Sequence, residues 1–146
     1  MISIEYIHKL LDVYNQLCRP LCQQTGIPQT SLDILMFLKN NPQYKTAADI
    51  VKIRKSTKSH VSTSLKALEN KGLIERIQST RNKKHIEIVL LDRAALIVEA
   101  GLNAQKQFAQ DVLSGLTKEE RHMCIKVFDK ICNNAEEHLR KYKENA

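Results

Sequence analysis

Turn-forming and aromatic residues are scarce in this 146-residue chain, which holds three prolines, four glycines, three phenylalanines, four tyrosines and no tryptophan. A β-sandwich or barrel needs a turn every few residues, so this composition argues for a mostly α fold. Long apolar runs are missing as well. No stretch approaches the roughly 18 residues that span a bilayer, and Met1-Ile2-Ser3-Ile4-Glu5 lacks the basic start and apolar run of a secretory signal. The expectation is a cytoplasmic protein with no membrane partner. The four cysteines, Cys18, Cys22, Cys124 and Cys132, form no Cys-x-x-Cys and no Cys/His pair at zinc spacing. There is also no glycine-rich phosphate loop, Ser/His/Asp set or paired carboxylate. No enzyme chemistry, metal or other cofactor is indicated. What remains is an ordinary globular composition, 42% apolar and 27% charged, which excludes a fibre or a disordered tail. A chain of this length buries roughly two thirds of its unfolded surface, enough for one compact domain without disulfides.

What is there in excess is positive charge, and its location is informative. The chain carries a formal charge of +7 with histidines neutral. Residues 45–93 hold twelve basic side chains against five acidic ones, and the rest of the chain sums to zero. The whole excess therefore sits in one third of the sequence. A solubilising surface spreads its charge, whereas a nucleic-acid-binding module flanked by neutral scaffold concentrates it.

Residues 2–24 read as a helix, with Ile4, Ile7, Leu11, Tyr14, Cys18 and Leu21 at three- and four-residue steps. Pro20 is expected to bend it. Gly26-Ile27-Pro28 breaks the pattern before a second helix over about 30–39, which Asn40-Asn41-Pro42 stops. A short helix follows over about 46–53, with Thr46 as N-cap and Asp49 in its first turn. The next begins at Ser56 or Thr57 and ends at Lys71, with Gly72 in the left-handed position after it. On this helix Val61, Leu65 and Leu68 share a stripe. Stepping about 100° per residue puts Ser59, Thr63, Lys66 and Asn70 opposite, on a face that is small, polar and basic. Residues 73–77 and 85–91 are rich in β-branched side chains and make a hairpin around the loop Gln78-Ser79-Thr80-Arg81-Asn82-Lys83-Lys84. From Asp92 as N-cap a long helix runs to Ser114. Thr117-Lys118-Glu119-Glu120 is a capping box for a last helix to about Lys143.

Two short helices, the second with a polar outer face, followed by a basic hairpin make a winged helix-turn-helix. The run Thr46-Ala-Ala-Asp-Ile-Val and then Ser56-Thr-Lys-Ser-His-Val-Ser-Thr-Ser-Leu-Lys-Ala-Leu-Glu-Asn-Lys-Gly-Leu-Ile-Glu-Arg76 resembles the core of the MarR family of bacterial transcriptional regulators. Arg19-Pro20-Leu21 with Gly26-Ile27, Leu32-Asp33-Ile34-Leu35 and Leu116-Thr117-Lys118-Glu119-Glu120 extend the resemblance to both ends. The departures are in the wing and at the second helix. Ser79 to Lys84 contains no acidic residue where the family often has one, with Arg81 as the best match to the wing arginine and Lys83 or Lys84 fitting an alternative register. Leu90-Leu91 stands where Leu-Thr commonly closes the wing, and Pro28 where a threonine opens the second helix.

The resemblance implies a fold, partners and a division of labour. The fold is mostly α with a small β-hairpin wing, a winged helix-turn-helix over 29–91 flanked by N- and C-terminal dimerisation helices in 1–28 and 92–146. The implied function is that of a homodimeric regulator, a repressor, on a pseudo-palindrome of double-stranded DNA. In this family small-molecule effectors often bind between the helical and winged parts. The candidate DNA-binding residues are Thr57, Lys58, Ser59, His60, Ser62, Thr63 and Lys66 on the recognition helix and Arg81, Lys83 and Lys84 on the wing. Lys55, Lys58, Lys83 and Lys84 are expected on the phosphate backbone, which positions a protein without reading sequence. The alternative is a winged-helix module that turns its basic face to an acidic protein partner. Some relatives sense oxidants through a cysteine near the first helix. Here the cysteines fall on or beside apolar stripes and read as buried structural thiols.

Overall fold

The structure is a computed structural model in which residues 2–145 are described. Their order is α1 (Ile4–Thr25), α2 (Gln29–Asn40), α3 (Ala47–Arg54), α4 (Lys58–Asn70), β1 (Ile74–Gln78), β2 (Ile86–Leu90), α5 (Ala95–Val112) and α6 (Lys118–Asn145). The described residues up to Phe108 form one compact unit and those from Ala109 onward a second.

In the first unit α2 is the central post. Leu32, Ile34, Leu35, Met36, Phe37 and Leu38 are all buried on it, so its apolar surface faces neighbours on nearly every side. One core gathers Ile34, Leu35, Phe37 and Leu38 with Ile50 of α3, Val61, Leu65 and Leu68 of α4, and Ile74 and Ile88 of the hairpin. A smaller one joins Leu32 and Met36 to Cys18 of α1, with Tyr14, Leu21, Ile97 and Ala104 against it. Burying side chains of this kind stabilises by about 1.5–3 kcal/mol each, so α2 fixes both α1 and the winged part to one scaffold.

The local signals that start and stop these helices are visible as hydrogen bonds. Thr46 Oγ1 accepts from Asp49 N at 3.1 Å while the Asp49 carboxylate accepts from Thr46 N at 3.1 Å, a capping box on α3. Thr57, not Ser56, caps α4, its Oγ1 accepting from His60 N at 3.2 Å. At the other end of α4 Leu73 N donates to Leu68 O and Gly72 N to Glu69 O. That closure needs the left-handed φ of 70° that Gly72 adopts. The hairpin pairs Ile74 with Leu90 through Gln78 with Ile86. It is tied down where Ile88 N donates to Lys45 O at 2.7 Å.

One sequence expectation about helix boundaries needs correction. The helix expected to begin at Asp92 opens with a 3-10 turn, Asp92–Ala94, capped by Leu91, and becomes α-helical at Ala95. Leu91 N is engaged by Leu73 O, so the strand pairing runs up to the helix and tightens its first turn. Pro20 lies inside α1, which runs to Thr25.

In the second unit Thr117 caps α6 in the expected box, with Glu120 N on Thr117 Oγ1 at 3.1 Å and Thr117 N on the Glu120 carboxylate at 2.9 Å. No described residue of α6 is buried. Of the four thiols, Cys18 is buried and Cys22 half-buried, but Cys124 and Cys132 on α6 are exposed. The reading as buried thiols therefore fails for the latter two in the protomer, because α6 is open along its described length.

Candidate nucleic-acid interface

α3 and α4 are joined by a three-residue turn at whose start Lys55 takes a left-handed conformation, φ 56°. Val61, Ser64, Leu65 and Leu68 anchor α4 inward, and the opposite face is left to solvent. Thr57, Lys58, Ser59, His60, Ser62, Thr63 and Lys66 are all exposed. They do not form one uniform patch. Ser59, Thr63 and Lys66 occupy the side away from the core. Lys58 and Ser62 border an apolar pocket of about 420 Å³ shared with α3, whose other cations are Lys52 and Arg76. His60 faces the opposite flank, beside Thr30 and Asp33 of α2. The hydroxyl of Thr57 serves first as the helix cap, which leaves its proton available to an acceptor outside.

The wing loop is ordered by its own polar side chains. Ser79 N donates to His85 O at 2.8 Å and extends the ladder by one pair. Arg81 N donates to Ser79 Oγ at 3.2 Å, Lys84 N to Asn82 Oδ1 at 3.0 Å, and the Gln78 amide to Lys83 O. Bonds of this kind hold a tight turn without glycine. They engage part of the loop backbone and leave the side chains of Arg81, Lys83 and Lys84 exposed, with no ion pair for any of the three among the described residues.

Elsewhere in the basic block the charge is partly spent. Arg76 Nε donates to Glu69 Oε2 at 3.2 Å, which ties β1 to the end of α4, and Arg54 lies 3.7 Å from Asp33. Neither pairing is visible in the sequence, because each links residues on different elements. Among the described residues the other cations of the block have no ion pair: Lys55, Lys58 and Lys66 lie around α4 and three more on the wing, with Lys45, Lys52, Lys71 and Arg93 elsewhere. This array offers point charges for phosphates, hydroxyls for phosphate or base edges, and a narrow basic tip. Among the described residues no group of three or more His, Cys, Asp or Glu could hold a metal. Among the described residues no helix is long and apolar enough to cross a membrane.

Residues 25–85 match the profile described as the MarR family. The chain is 24% identical over 132 residues to the Uncharacterized HTH-type transcriptional regulator YdgJ of Bacillus subtilis (strain 168), covering 90% of this chain and 76% of that one. The fold is shared with a MarR family transcriptional regulator chain of Listeria monocytogenes solved with 26mer DNA: TM-score 0.81, 18% identity, 92% of this chain and 89% of that one. It is also shared with the S. aureus MepR chain of a MepR–DNA complex: TM-score 0.72, 23% identity, 91% and 96% covered. At such identities what these two structures share with the chain is its fold.

Proposed function

We propose that the protein is a homodimeric transcriptional regulator of the MarR type, a repressor, acting on double-stranded DNA in the cytoplasm; the match of residues 25–85 to the MarR family supports this reading. The observation that carries the reading is the placement of the charge. The whole net excess falls within residues 45–93, and six of its cations without an ion pair, Lys55, Lys58, Lys66, Arg81, Lys83 and Lys84, lie around α4 and at the wing tip. An acidic protein partner would accept a scattered basic face. A helix with small polar residues along its outer side and a basic hairpin after it suit a major groove and the minor groove beside it. Ser59, Thr63 and Lys66 are assigned to the groove, with Thr57, His60 and Ser62 on its margins. Lys55, Lys58, Lys83 and Lys84 are assigned to phosphates and Arg81 to the minor groove.

The dimer is supported by what each protomer leaves uncovered. Ile4, Tyr6, Ile7, Leu10 and Leu11 of α1 are exposed, and so are Met123, Val127, Phe128, Ile131 and Leu139 of α6. Both sets recur at helical spacing, so each is a continuous stripe and not a scatter of single residues. A second copy of the chain is the occupant assigned to them, and it would also cover Cys124 and Cys132. The effector that the resemblance implies has a cavity that fits its description. About 280 Å³ lies between the end of α1, the α4–β1 turn and the start of α5, floored by Ile27, Leu73 and Ile97 and flanked by Lys71 and Arg93. A small apolar anion is the ligand such a lining favours.

A mobility-shift titration on DNA from upstream of the protein's own gene, at two salt concentrations, tests the reading. Specific binding that weakens steeply with salt is expected. Indifference to DNA at low salt would leave the acidic protein partner as the better account.

A further inference from the structure

Arg54 is the last residue of α3, next to the turn that leads into α4. Its Nη2 lies 3.7 Å from Asp33 Oδ2 on α2, with about a third of the arginine side chain and a quarter of the aspartate accessible (35% and 23%). The two partners are not equally free to move. Asp33 Oδ1 accepts from Gln29 Nε2 at 2.8 Å, one turn back on the same helix, so the carboxylate is pinned. Arg54 is held only by a contact longer than a hydrogen bond, at the end of a flexible side chain. The pair borders a cleft of about 90 Å³, where Thr30, Ser56, His60 and Ser64 supply hydroxyls and an imidazole. Ser64 is buried at 6% exposure, so the cleft reaches in from the start of α4 toward the core. Hydroxyl and imidazole donors around one guanidinium fit the two free oxygens of a phosphodiester. The carboxylate beside them does not.

We infer that Asp33 is a built-in counter-ion that keeps Arg54 off the DNA backbone until α4 is seated, whereupon Arg54 transfers to a phosphate; this rests on the duplex-binding reading above. The exchange is favourable only when the phosphate is close. A phosphate within reach offers Arg54 two parallel, charge-assisted hydrogen bonds, against a loose pair of low worth at a partly exposed site. A distant phosphate offers nothing that outweighs Asp33. Backbone contacts carry no sequence information, so a phosphate contact withheld from shallow docking weakens binding to random duplex more than binding to the operator. Asp33 is thereby a specificity-determining residue that touches no base, and Arg54 a positioning residue.

The experiment is a double-mutant cycle, Asp33→Asn, Arg54→Ala and the pair, titrated on the operator found by mobility shift and on a random duplex. The asparagine side chain keeps the acceptor for Gln29 and the volume of the aspartate, and thermal melting of each variant checks the fold. Asp33→Asn is expected to tighten random duplex by roughly threefold and the operator by less, so that the ratio between them falls. Arg54→Ala is expected to lower the salt slope by about one unit per subunit on the operator and to leave it on random duplex. In the Arg54→Ala background Asp33→Asn should change nothing. If Asp33→Asn tightens binding equally with and without Arg54, or leaves the ratio unchanged, Asp33 is an ordinary surface charge and the inference is overturned while the duplex-binding reading stands. If the unaltered protein ignores both duplexes at low salt, that reading fails and the inference falls with it.

Discussion

At the scale of single residues, the proposed interface separates side chains assigned to read bases from side chains assigned to hold the backbone. Thr63 is exposed on the outer side of α4, where a groove-bound helix comes closest to base edges, and its short hydroxyl reaches only a correctly placed partner. Thr63→Ala is expected to cost on the order of 1 kcal/mol on the operator and little on random DNA. Arg81, in the proposed role, would act largely through charge in a narrow groove. Arg81→Ala should weaken both duplexes and lower the slope of log affinity against log salt by about one unit for each phosphate that the arginine neutralises. Lys106, exposed on α5, is the control and should change neither. Anisotropy titrations across a salt series check all three, and equal behaviour of Arg81→Ala and Lys106→Ala would remove the wing from the interface. The thiols of α1 are poorly placed for redox chemistry. Cys18 is fully buried, and burial pushes the Cys22 thiol up, with Cys18 and Asp33 nearby adding to the shift, so little thiolate is available to an oxidant.

At the scale of elements, two close fits decide whether the winged part keeps its shape. α2 and α5 approach at Gly101, where a Cβ would fall inside the van der Waals envelope of the Met36 sulfur. Met36 is 2% exposed and has little room to yield. Gly101→Ala is expected to destabilise by about 1–3 kcal/mol through overpacking, read as a lowered midpoint in urea, although alanine is the better helix former. The second fit is the start of α3. Burial pushes the Asp49 carboxyl up, but the N–H groups of Thr46 and Lys45, with the nearby His85 adding to them, outweigh it and hold it below the usual carboxylate range. A carboxyl lowered on folding contributes stability above its unfolded pKa, about 3.9, and loses it as pH falls through the folded value. Asp49→Ala should therefore be less stable than the unaltered protein at neutral pH, with the gap closing below about pH 4. A constant gap across that range would mean that the cap bonds do not depend on the charge.

These elements were legible because their signals are local. Thr46 with Asp49, Thr117 with Glu120 and Gly72 after Lys71 act within a turn of themselves, and the sequence predicts all three. The polar outer side of α4 follows from a step of about 100° alone. What is not local was not legible. The pairing of Arg76 with Glu69 and of Arg54 with Asp33 joins elements whose packing no periodicity specifies, so the basic block reads as more available than it is. The tightened start at Asp92 comes from the bond between Leu91 and Leu73, a strand contact between residues far apart in sequence. Cys124 and Cys132 lie near an apolar stripe that the protomer leaves open, and a stripe does not tell which chain covers it.

At the scale of the whole molecule, the open stripes and the charge block make a single demand. In the proposed dimer a second copy covers the exposed apolar residues of α1 and α6, and the pair carries two copies of α4. Sedimentation at micromolar concentration is expected to give twice the 16.7 kDa of the chain, and a stable monomer there would contradict the assignment of those faces. Two α4 helices held about 34 Å apart meet successive major grooves on one side of a duplex. Hydroxyl-radical footprinting on the operator tests this most directly. Two protected tracts related by two-fold symmetry and centred about ten base pairs apart are expected, with further protection in the minor grooves where the wings enter. A single unsymmetrical tract, or a duplex cut uniformly at saturating protein, would contradict a symmetric pair of recognition helices on DNA.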